Sequence, residues 1–503
     1  MHTRRHFLKT VILGATAGPS VLGCREGTAP GPSPSAAATA AARETRLRGD
    51  SFETCHAVRD GQALASAEVA ASHDVVIVGG GPSGLASAHL LRDRDLLLLE
   101  KEDAWGGNCI LDEWQGVKIS TGGAFYTESE AEVIALFAEI GAKGMKITGN
   151  DSLVIDGRPV TGFFQDGANE LPFAQNVRDD FRRSREDMLK LLAQRKPEEL
   201  DRVSFAELLR DYDPTLTRFW DRFGPSNWGG EAKDTSGYIG AEAYTWAGGI
   251  DDPRWTFPGG MAGGAQALAD WLKPKLGERM RSGAAVYRIE REKQGAVVRY
   301  LQHGEPRAVR ARVVIVALPK FYVQHVVPGL PAAQLAAMQA CRYAPFATFN
   351  VCLNSPGPEP AYDNWFLDTP FTDFIPADWV IHAGKGPKQR KTALTVYHPL
   401  PEARRKELLV DPMVLEMADA VAEHLERHFP GTLAKIAEIR VYRRGHPMSI
   451  STPGRIQLAK RASAPFGPVL FANTDSIATV SSFDGAYTAA RDAAERARTL
   501  LRA

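Results

Sequence analysis

The chain carries no net charge. In 503 residues, 60 Lys and Arg stand against 60 Asp and Glu. That balance argues against a nucleic-acid binder held by phosphate attraction, so no nucleic-acid partner is expected. Cysteine is scarce: Cys24, Cys55, Cys109, Cys341 and Cys352 are the whole set, and none forms a C-x-x-C pair. A thiolate zinc site and a c-type haem are therefore unsupported, and no metal is expected. Cys55-His56 lacks further ligands nearby and reads as structural. Long apolar runs are also missing. Beyond the N-terminal two dozen residues, no segment approaches the length that crosses a bilayer. The hydrophobic fraction, 44%, still permits a large core.

The first residues read as an address. Thr3-Arg4-Arg5-His6-Phe7-Leu8-Lys9 resembles the twin-arginine export signal, and an apolar run too short to span follows at 11–23. Val21-Leu22-Gly23-Cys24 resembles a bacterial lipobox, which implies cleavage before Cys24 and its lipidation. The expected location is the periplasmic or outer face of the envelope, with membrane contact only through that lipid. Residues 25–43, rich in Ala, Pro, Ser, Thr and Gly, read as a flexible tether. In such a compartment the four later cysteines are able to pair, with connectivity left open.

The organising stretch is 73–108. A β-branched apolar run at 75–78 predicts a buried parallel strand. It enters Gly79-Gly80-Gly81-Pro82-Ser83-Gly84, then a helical segment at 85–92 and a second strand at 96–99 that ends on Glu100. Glycines at this spacing let the backbone turn tightly and approach a pyrophosphate, while the helix N-terminus offers free N–H groups and a positive dipole end. Glu100, 21 positions after Gly79, stands where an acid receives ribose hydroxyls. Strand, glycine turn, helix, strand and acid together predict a dinucleotide site.

Downstream residues narrow the cofactor. The pair Gly106-Gly107, six residues past Glu100, resembles the second fingerprint of the flavin-containing amine oxidase superfamily, with Asn108 where arginine is common. Ser120-Thr121-Gly122-Gly123-Ala124 resembles the turn that passes beside the flavin ring. Pro258-Gly259-Gly260, a helix at 265–272 and strands at 284–290 and 296–301 resemble the return to the nucleotide domain, with Val286 meeting the adenine. Residues 313–316 resemble a further returning strand. At the C-terminus, 468–475 and Phe483-Asp484-Gly485-Ala486 resemble the closing motif, in which Asp475 binds the ribityl chain and a helix at 487–501 faces the flavin. The resemblance implies FAD, held by Gly79, Gly81, Pro82, Ser83, Gly84, Glu100, Lys101, Gly106, Gly107, Asn108, Gly122, Gly123, Val286, Asp475 and Phe483.

The fold class expected is α/β, a Rossmann-like FAD-binding domain interleaved with an α+β substrate (cap) domain. The expected segments are a signal at 1–24, a linker at 25–72, nucleotide parts at 73–150, 258–330 and 445–503, and cap parts at 151–257 and 331–444. Helices are expected at 129–140, through much of the charged stretch 171–209, and at 411–429, and a strand at 345–353. Aromatics crowd 219–257. They suit a substrate wall and a packed core equally well.

The resemblance implies FAD-dependent oxidation of an amine or amino-acid-like small molecule by hydride transfer. Two alternatives stand beside it: desaturation or oxidation of a lipid or isoprenoid, and a non-catalytic FAD-bound partner subunit. The strand at 346–353 has no lysine, where the family commonly holds a water near the flavin, and the substrate-sandwiching aromatic pair, near Pro447 and Ser482 or Phe483, is not clear. No catalytic residue stands out. His446 is the weak candidate, as an acid/base group with an ordinary pKa near neutrality, as a covalent flavin anchor, or as a packing residue. Glu242 and Asp234 are candidates for fixing a cationic substrate, although surface exposure suits each as well. The electron acceptor, whether oxygen, a quinone or a cytochrome, stays open.

Overall fold

The computed structural model describes residues 43–249, 253–382 and 390–502. The signal-like stretch, Cys24 and most of the tether lie outside them.

Two sheets organise the chain. The first has seven strands. Leu96–Leu99, Val69–Val78, Glu305–Val316 and Val469–Phe471 run parallel, with Met280–Arg281 added outside Leu96–Leu99. Ala284–Arg291 and Ala296–Gln302 extend the sheet antiparallel beyond Glu305–Val316. The parallel strands are apolar on both faces because both faces are covered. Val75 and Ile77 face one core with Leu85, Met261 and Ala493, while Val76 and Val78 face the other with Val323 and Met338. That is why the run at 75–78 reads as continuous rather than alternating.

Helix Phe483–Arg502 lays an alanine stripe against this sheet. Ala486, Ala489, Ala490, Ala493, Ala494 and Ala497 are all buried, and small side chains let it approach helix Pro82–Leu90 closely. The chain's last helix is thus packed on the first nucleotide-binding helix.

The second sheet has eight strands. In order they are Glu44–Gly49, Ile436–Ser449, Tyr343–Leu353, Thr392–Pro399, Asp373–Pro376, Asn364–Phe366, Ser152–Ile155 and Arg158–Thr161. Helix Asp411–His428 buries Val414, Ala418, Val421 and Leu425 against it. The chain therefore passes repeatedly between the two sheets.

One expectation changes and two are narrowed. Residues 44–72, assigned above to a linker, include strand Glu44–Gly49, helix Glu53–Arg59 and the start of strand Val69–Val78. The strand pairs in parallel with Ile436–Ser449, Leu47 opposite Val441. The charged stretch at 171–209 is three helices, Gln175–Gln194, Pro197–Leu200 and Phe205–Leu209. Pro197 disfavours helical backbone at Lys196 before it, and starts the next helix instead. Most of the aromatic stretch is core: Phe219, Trp220, Phe223, Trp228 and Tyr244 are at most 1% exposed. The spacing of Leu216, Phe219, Trp220 and Phe223 along helix Pro214–Trp228 produces that buried face.

Candidate functional site

One continuous cavity of about 1550 Å³ runs along the ends of the parallel strands into the space under the second sheet. It exceeds the usual 300–1,000 Å³ of a single drug-sized pocket, leaving room for a dinucleotide and a further small molecule.

At one end the backbone itself is the wall. Strand Val69–Val78 gives way to Gly79 at φ +104°, and helix Pro82–Leu90 begins with Gly81 as N-cap and no side chain capping it. Gly107, at φ +56°, approaches Gly81 so closely that a Cβ on it would stand 2.9 Å from the Gly81 Cα. Both glycines line the cavity, with Pro82 and Ser83. A helix start with spare N–H groups beside two bare backbone segments is a phosphate cradle. Glu100 closes the first strand pair. Its carboxylate accepts from Gly80 N at 2.5 Å and from Glu102 N at 2.9 Å. Burial pushes the carboxyl up, against the pull of those two donors.

Val286 lines the same end, and its carbonyl accepts from Tyr322 Oη at 3.0 Å. Lys101 lines it too, but its ammonium is held by Glu102 and by Ser51 O. Ser51 in turn donates N–H and Oγ–H to Glu102, both at 2.8 Å. Gly49–Arg59, a strap absent from the sequence reading, thus closes over the nucleotide end, with Phe52, Cys55 and His56 in its lining. Cys55, Cys109, Cys341 and Cys352 are all free thiols.

The middle of the cavity is the turn Ser120–Ala124, whose carbonyls are all spoken for. Asn350 Nδ2 donates to Ser120 O, Thr348 Oγ1 to Thr121 O, and Tyr397 Oη to Gly122 O. Arg444 donates to Thr121 O at 2.6 Å and reaches Gly107 O at 3.4 Å. A guanidinium does sit at the glycine pair, supplied by strand Ile436–Ser449 rather than by position 108. Asn108 instead donates to Pro447 O at 2.7 Å. Strand Tyr343–Leu353 presents Thr348 to the cavity, and Lys320, a buried lysine nearby in the fold, is committed elsewhere.

Thirteen expected residues line the cavity, including Gly122, Gly123, Phe483 and His446. Three do not. Gly84 packs helix against turn, where a Cβ would lie 1.7 Å from Gly79 O. Gly106 turns away at φ +121°, its Cβ position 2.4 Å from Cys109 O. Asp475 is fully buried, and its carboxylate is consumed by Lys320 Nζ at 2.5 Å, Lys320 N at 2.8 Å and Tyr343 Oη at 2.7 Å. Its neighbours Asn473 and Thr474 do line the cavity.

His446 also reads differently in place. It stacks on Phe321 with centroids 4.1 Å apart. Burial, aided by Arg405, His56 and Arg59, pushes its pKa down to about 4. The neutral ring is a packing group and a poor proton acceptor at neutral pH.

The far end is a chamber of mixed character. Phe125, Trp246, Phe346, Trp365 and Tyr397 line it beside Ser226, Asn227, Glu242, Asp363 and Asp373. Trp246 is thus the member of the aromatic stretch that reaches the cavity, with Glu242 close in sequence. Burial pushes the Glu242 carboxyl up. Asp234 is elsewhere, paired with Arg342 at 2.8 Å in a half-exposed setting. Asp363 and Asp373 had no local sequence signal. Phe483, expected near an aromatic sandwich, keeps its ring against Phe137 in the nucleotide core, centroids 5.3 Å apart. Among the described residues no group of His, Cys, Asp and Glu is placed to hold a metal.

Residues 82–498 match the family of flavin containing amine oxidoreductases, and the chain belongs to it. The oxidoreductase PigB of Serratia sp. is 24% identical over 382 residues, 62% of this chain and 56% of its own length. A flavin-containing amine oxidase of Oncorhynchus mykiss is 27% identical over 265 residues, 49% of this chain and 50% of its own. The chain thus spans about half the length of these curated relatives. Among solved structures, the cyclohexylamine oxidase of Brevibacterium oxydans superposes with a TM-score of 0.69 at 19% identity, over 86% of this chain and all of its own. A putrescine oxidase bound to putrescine gives 0.66 at 20% identity, over 84% and 99%. These likenesses establish the fold: a Rossmann-type FAD-binding domain joined to a cap. The cradle fits FAD, because its glycine-only approach and uncapped helix start accept a pyrophosphate that side chains would exclude.

Proposed function

We propose that this protein is an FAD-dependent oxidoreductase that oxidises an amine or amino-acid-like small molecule. The observation that carries the reading is the single cavity, which joins a dinucleotide cradle to an aromatic chamber with three carboxyl groups in its wall. A bound flavin supplies the hydride acceptor, and the protein supplies position and electrostatics.

The chain's own residues have distinct tasks. Gly79, Gly81, Gly107 and the start of helix Pro82–Leu90 would hold the pyrophosphate. Glu100 would receive the ribose. Thr348, Tyr397 and Arg444 hold the turn at Thr121–Gly122 in place, so that the backbone beside the flavin cannot drift. Phe346, Trp246 and Trp365 exclude water from the chamber, which strengthens the attraction between its acids and a cation. That acidity weighs against a polyene or other hydrocarbon substrate, for which buried carboxyl groups offer nothing.

The test is anaerobic. The FAD-loaded protein, without its first 24 residues, is mixed with primary amines, amino acids and polyenes while the flavin absorbance is followed. Bleaching by amines and none by polyenes is the expected result. Bleaching by polyenes alone would overturn the amine reading. Readmitting oxygen, a quinone or a cytochrome then identifies the acceptor.

For location, the twin-arginine-like and lipobox-like residues at 3–24 support export with lipid attachment at Cys24. No helix among the described residues is long and apolar enough to cross a membrane.

A further inference from the structure

Eight large apolar side chains stand well exposed among the described residues, and four of them, Phe52, Leu409, Val410 and Leu415, belong to one face. Phe52 is on the strap and Leu409 ends the segment Glu402–Leu409. Both line the cavity, yet they are 42% and 55% exposed, so they stand at a mouth of it. The two walls of this mouth meet at His446, which Arg405 faces from one side and His56 and Arg59 from the other. Strand Ile436–Ser449 joins them, since its Arg443 pairs with Gly49 and donates to Leu408 O at 3.2 Å. Val410 follows Leu409 and leads into helix Asp411–His428. Along that helix Asp411, Leu415 and Asp419 share one stripe at i, i+4 spacing. Arg443 holds Asp411 and Arg43 holds Asp419, which ties the stripe to the edge strand Glu44–Gly49.

Most acids of this face are neutralised by its own cations. Besides Asp411 and Asp419, Asp60 is paired with Arg59, Glu402 with Arg342 and Asp50 with Arg444. Arg48 and Lys406 are exposed, line the mouth and have no carboxylate partner among the described residues. Glu53 is the acid of the mouth left without a cation. The polypeptide also enters here, because Arg43, which holds Asp419, is the first described residue. The 18 residues 25–42 that lead to it extend at most about 60 Å. With the lipid attachment proposed above, that reach keeps this face at high effective concentration beside the bilayer. Apolar side chains flanked by unpaired cations suit a headgroup layer of negative charge.

We infer that this face, with Phe52, Leu409, Val410 and Leu415 as its apolar part and Arg48 and Lys406 as its cations, docks on an anionic lipid surface. The cavity mouth is thereby turned towards the headgroups. The protein then has a membrane contact of its own folded surface, in addition to the lipid at Cys24. The inference rests on the export reading for the bilayer's presence, and the contact itself is testable with no lipid on the chain. Its two parts respond differently to salt. The attraction of Arg48 and Lys406 to the headgroups is screened, while burial of the four apolar side chains is not.

The experiment is flotation of the FAD-loaded chain, without its first 24 residues, on vesicles of phosphatidylcholine with and without phosphatidylglycerol. Binding to the anionic vesicles should be at least ~10-fold tighter than to the neutral ones. Raising salt from about 0.1 M to about 1 M, which shortens the screening length from ~10 Å to ~3 Å, should weaken binding without abolishing it. The double variants Phe52→Ser/Leu409→Ser and Arg48→Glu/Lys406→Glu should each lose at least ~10-fold on anionic vesicles. Ile134→Ser, which removes an exposed apolar side chain on helix Ala131–Glu139, should lose under ~2-fold. Flavin content and melting temperature show which variants fold, and should one double variant fail, the other decides. No binding of the unsubstituted chain to anionic vesicles, or equal losses in the double variants and Ile134→Ser, would overturn the inference. So would a dimer in sedimentation that Phe52→Ser/Leu409→Ser dissociates, since the face then belongs to a second copy. Absence of acyl mass on Cys24 of the exported full chain would instead overturn the lipid attachment, with the vesicle result standing.

Discussion

Gly84→Ala should abolish flavin binding. The added methyl carbon would stand 1.7 Å from the carbonyl oxygen of Gly79, with Gly79 C at 2.8 Å. No rotamer relieves this, because the methyl has none and the obstacle is main chain. Relief requires helix Pro82–Leu90 to lift off the turn, and that helix is buried along almost its whole length, from Ser83 to His89. Overpacking against side chains typically costs 1–3 kcal/mol, so a backbone clash of this depth should cost about 3 kcal/mol or more. The helix start would also move away from the phosphate position. The ratio of flavin to protein absorbance after purification measures the effect, and a thermal melt separates loss of cofactor from loss of fold. A Gly84→Ala protein with full flavin content would show that this helix is not docked on the Gly79 turn. Alanine at Gly116 makes a suitable contrast for space alone, since nothing lies within 4 Å of its Cβ position.

Lys320→Met should be the most destabilising change away from the cavity. Lys320 and Asp475 side chains are both 0% exposed and 2.5 Å apart. Lys320 Nζ also donates to Ser476 Oγ at 2.8 Å. Removing the ammonium leaves Asp475 buried with Lys320 N and Tyr343 Oη as its remaining donors. Breaking a buried pair from one side costs about 3–5 kcal/mol, because the surviving charge is uncompensated. Asp475→Asn should be destabilising for the converse reason. The double variant Lys320→Met/Asp475→Asn should be more stable than the two single losses added together predict, since neither charge is then stranded. Urea unfolding of the four proteins measures the coupling. Additive losses, or a Lys320→Met protein within about 1 kcal/mol of wild type, would mean that the pair is not the buried contact described.

The two residues also mark how far the sequence could be read. The strand at 75–78, the glycine turn and Glu100 were legible because each signal is local: an apolar run, a fixed glycine spacing, an acid at the end of the next strand. Asp475 sat in the right strand-end motif, but the direction of its side chain is decided by Lys320, 155 positions earlier. No local pattern encodes that contact. The guanidinium at the glycine pair was missed for the same reason, since Arg444 reaches it from a strand 337 positions on. Asp363 immediately precedes strand Asn364–Phe366 and Asp373 opens strand Asp373–Pro376, and the register of Trp365 with Asp373 sets the two segments side by side. The aromatic stretch went the other way. Its composition suited wall and core equally, and helix Pro214–Trp228 turns most of it into core.

His446 shows a further limit. Its position invited an acid/base role, yet Phe321 on its face and Arg405, His56 and Arg59 around it remove the proton. Two of those residues belong to the strap, which the expected segments had placed in the linker at 25–72.

The strap has a consequence for the timing of assembly. Its strand is nearly the first described segment to be synthesised, and its partner is among the last: Glu44 waits for Glu438 and Gly49 for Arg443. At ~5–20 residues per second, tens of seconds separate the two on the ribosome. Helix Phe483–Arg502, which packs on the first nucleotide-binding helix, emerges later still. A truncated or nascent chain therefore holds the glycine cradle but neither the strap's mooring nor its final buttress. Cofactor capture becomes an event of the finished polypeptide, and such long-range closure makes slow maturation the expected kinetic signature of this fold.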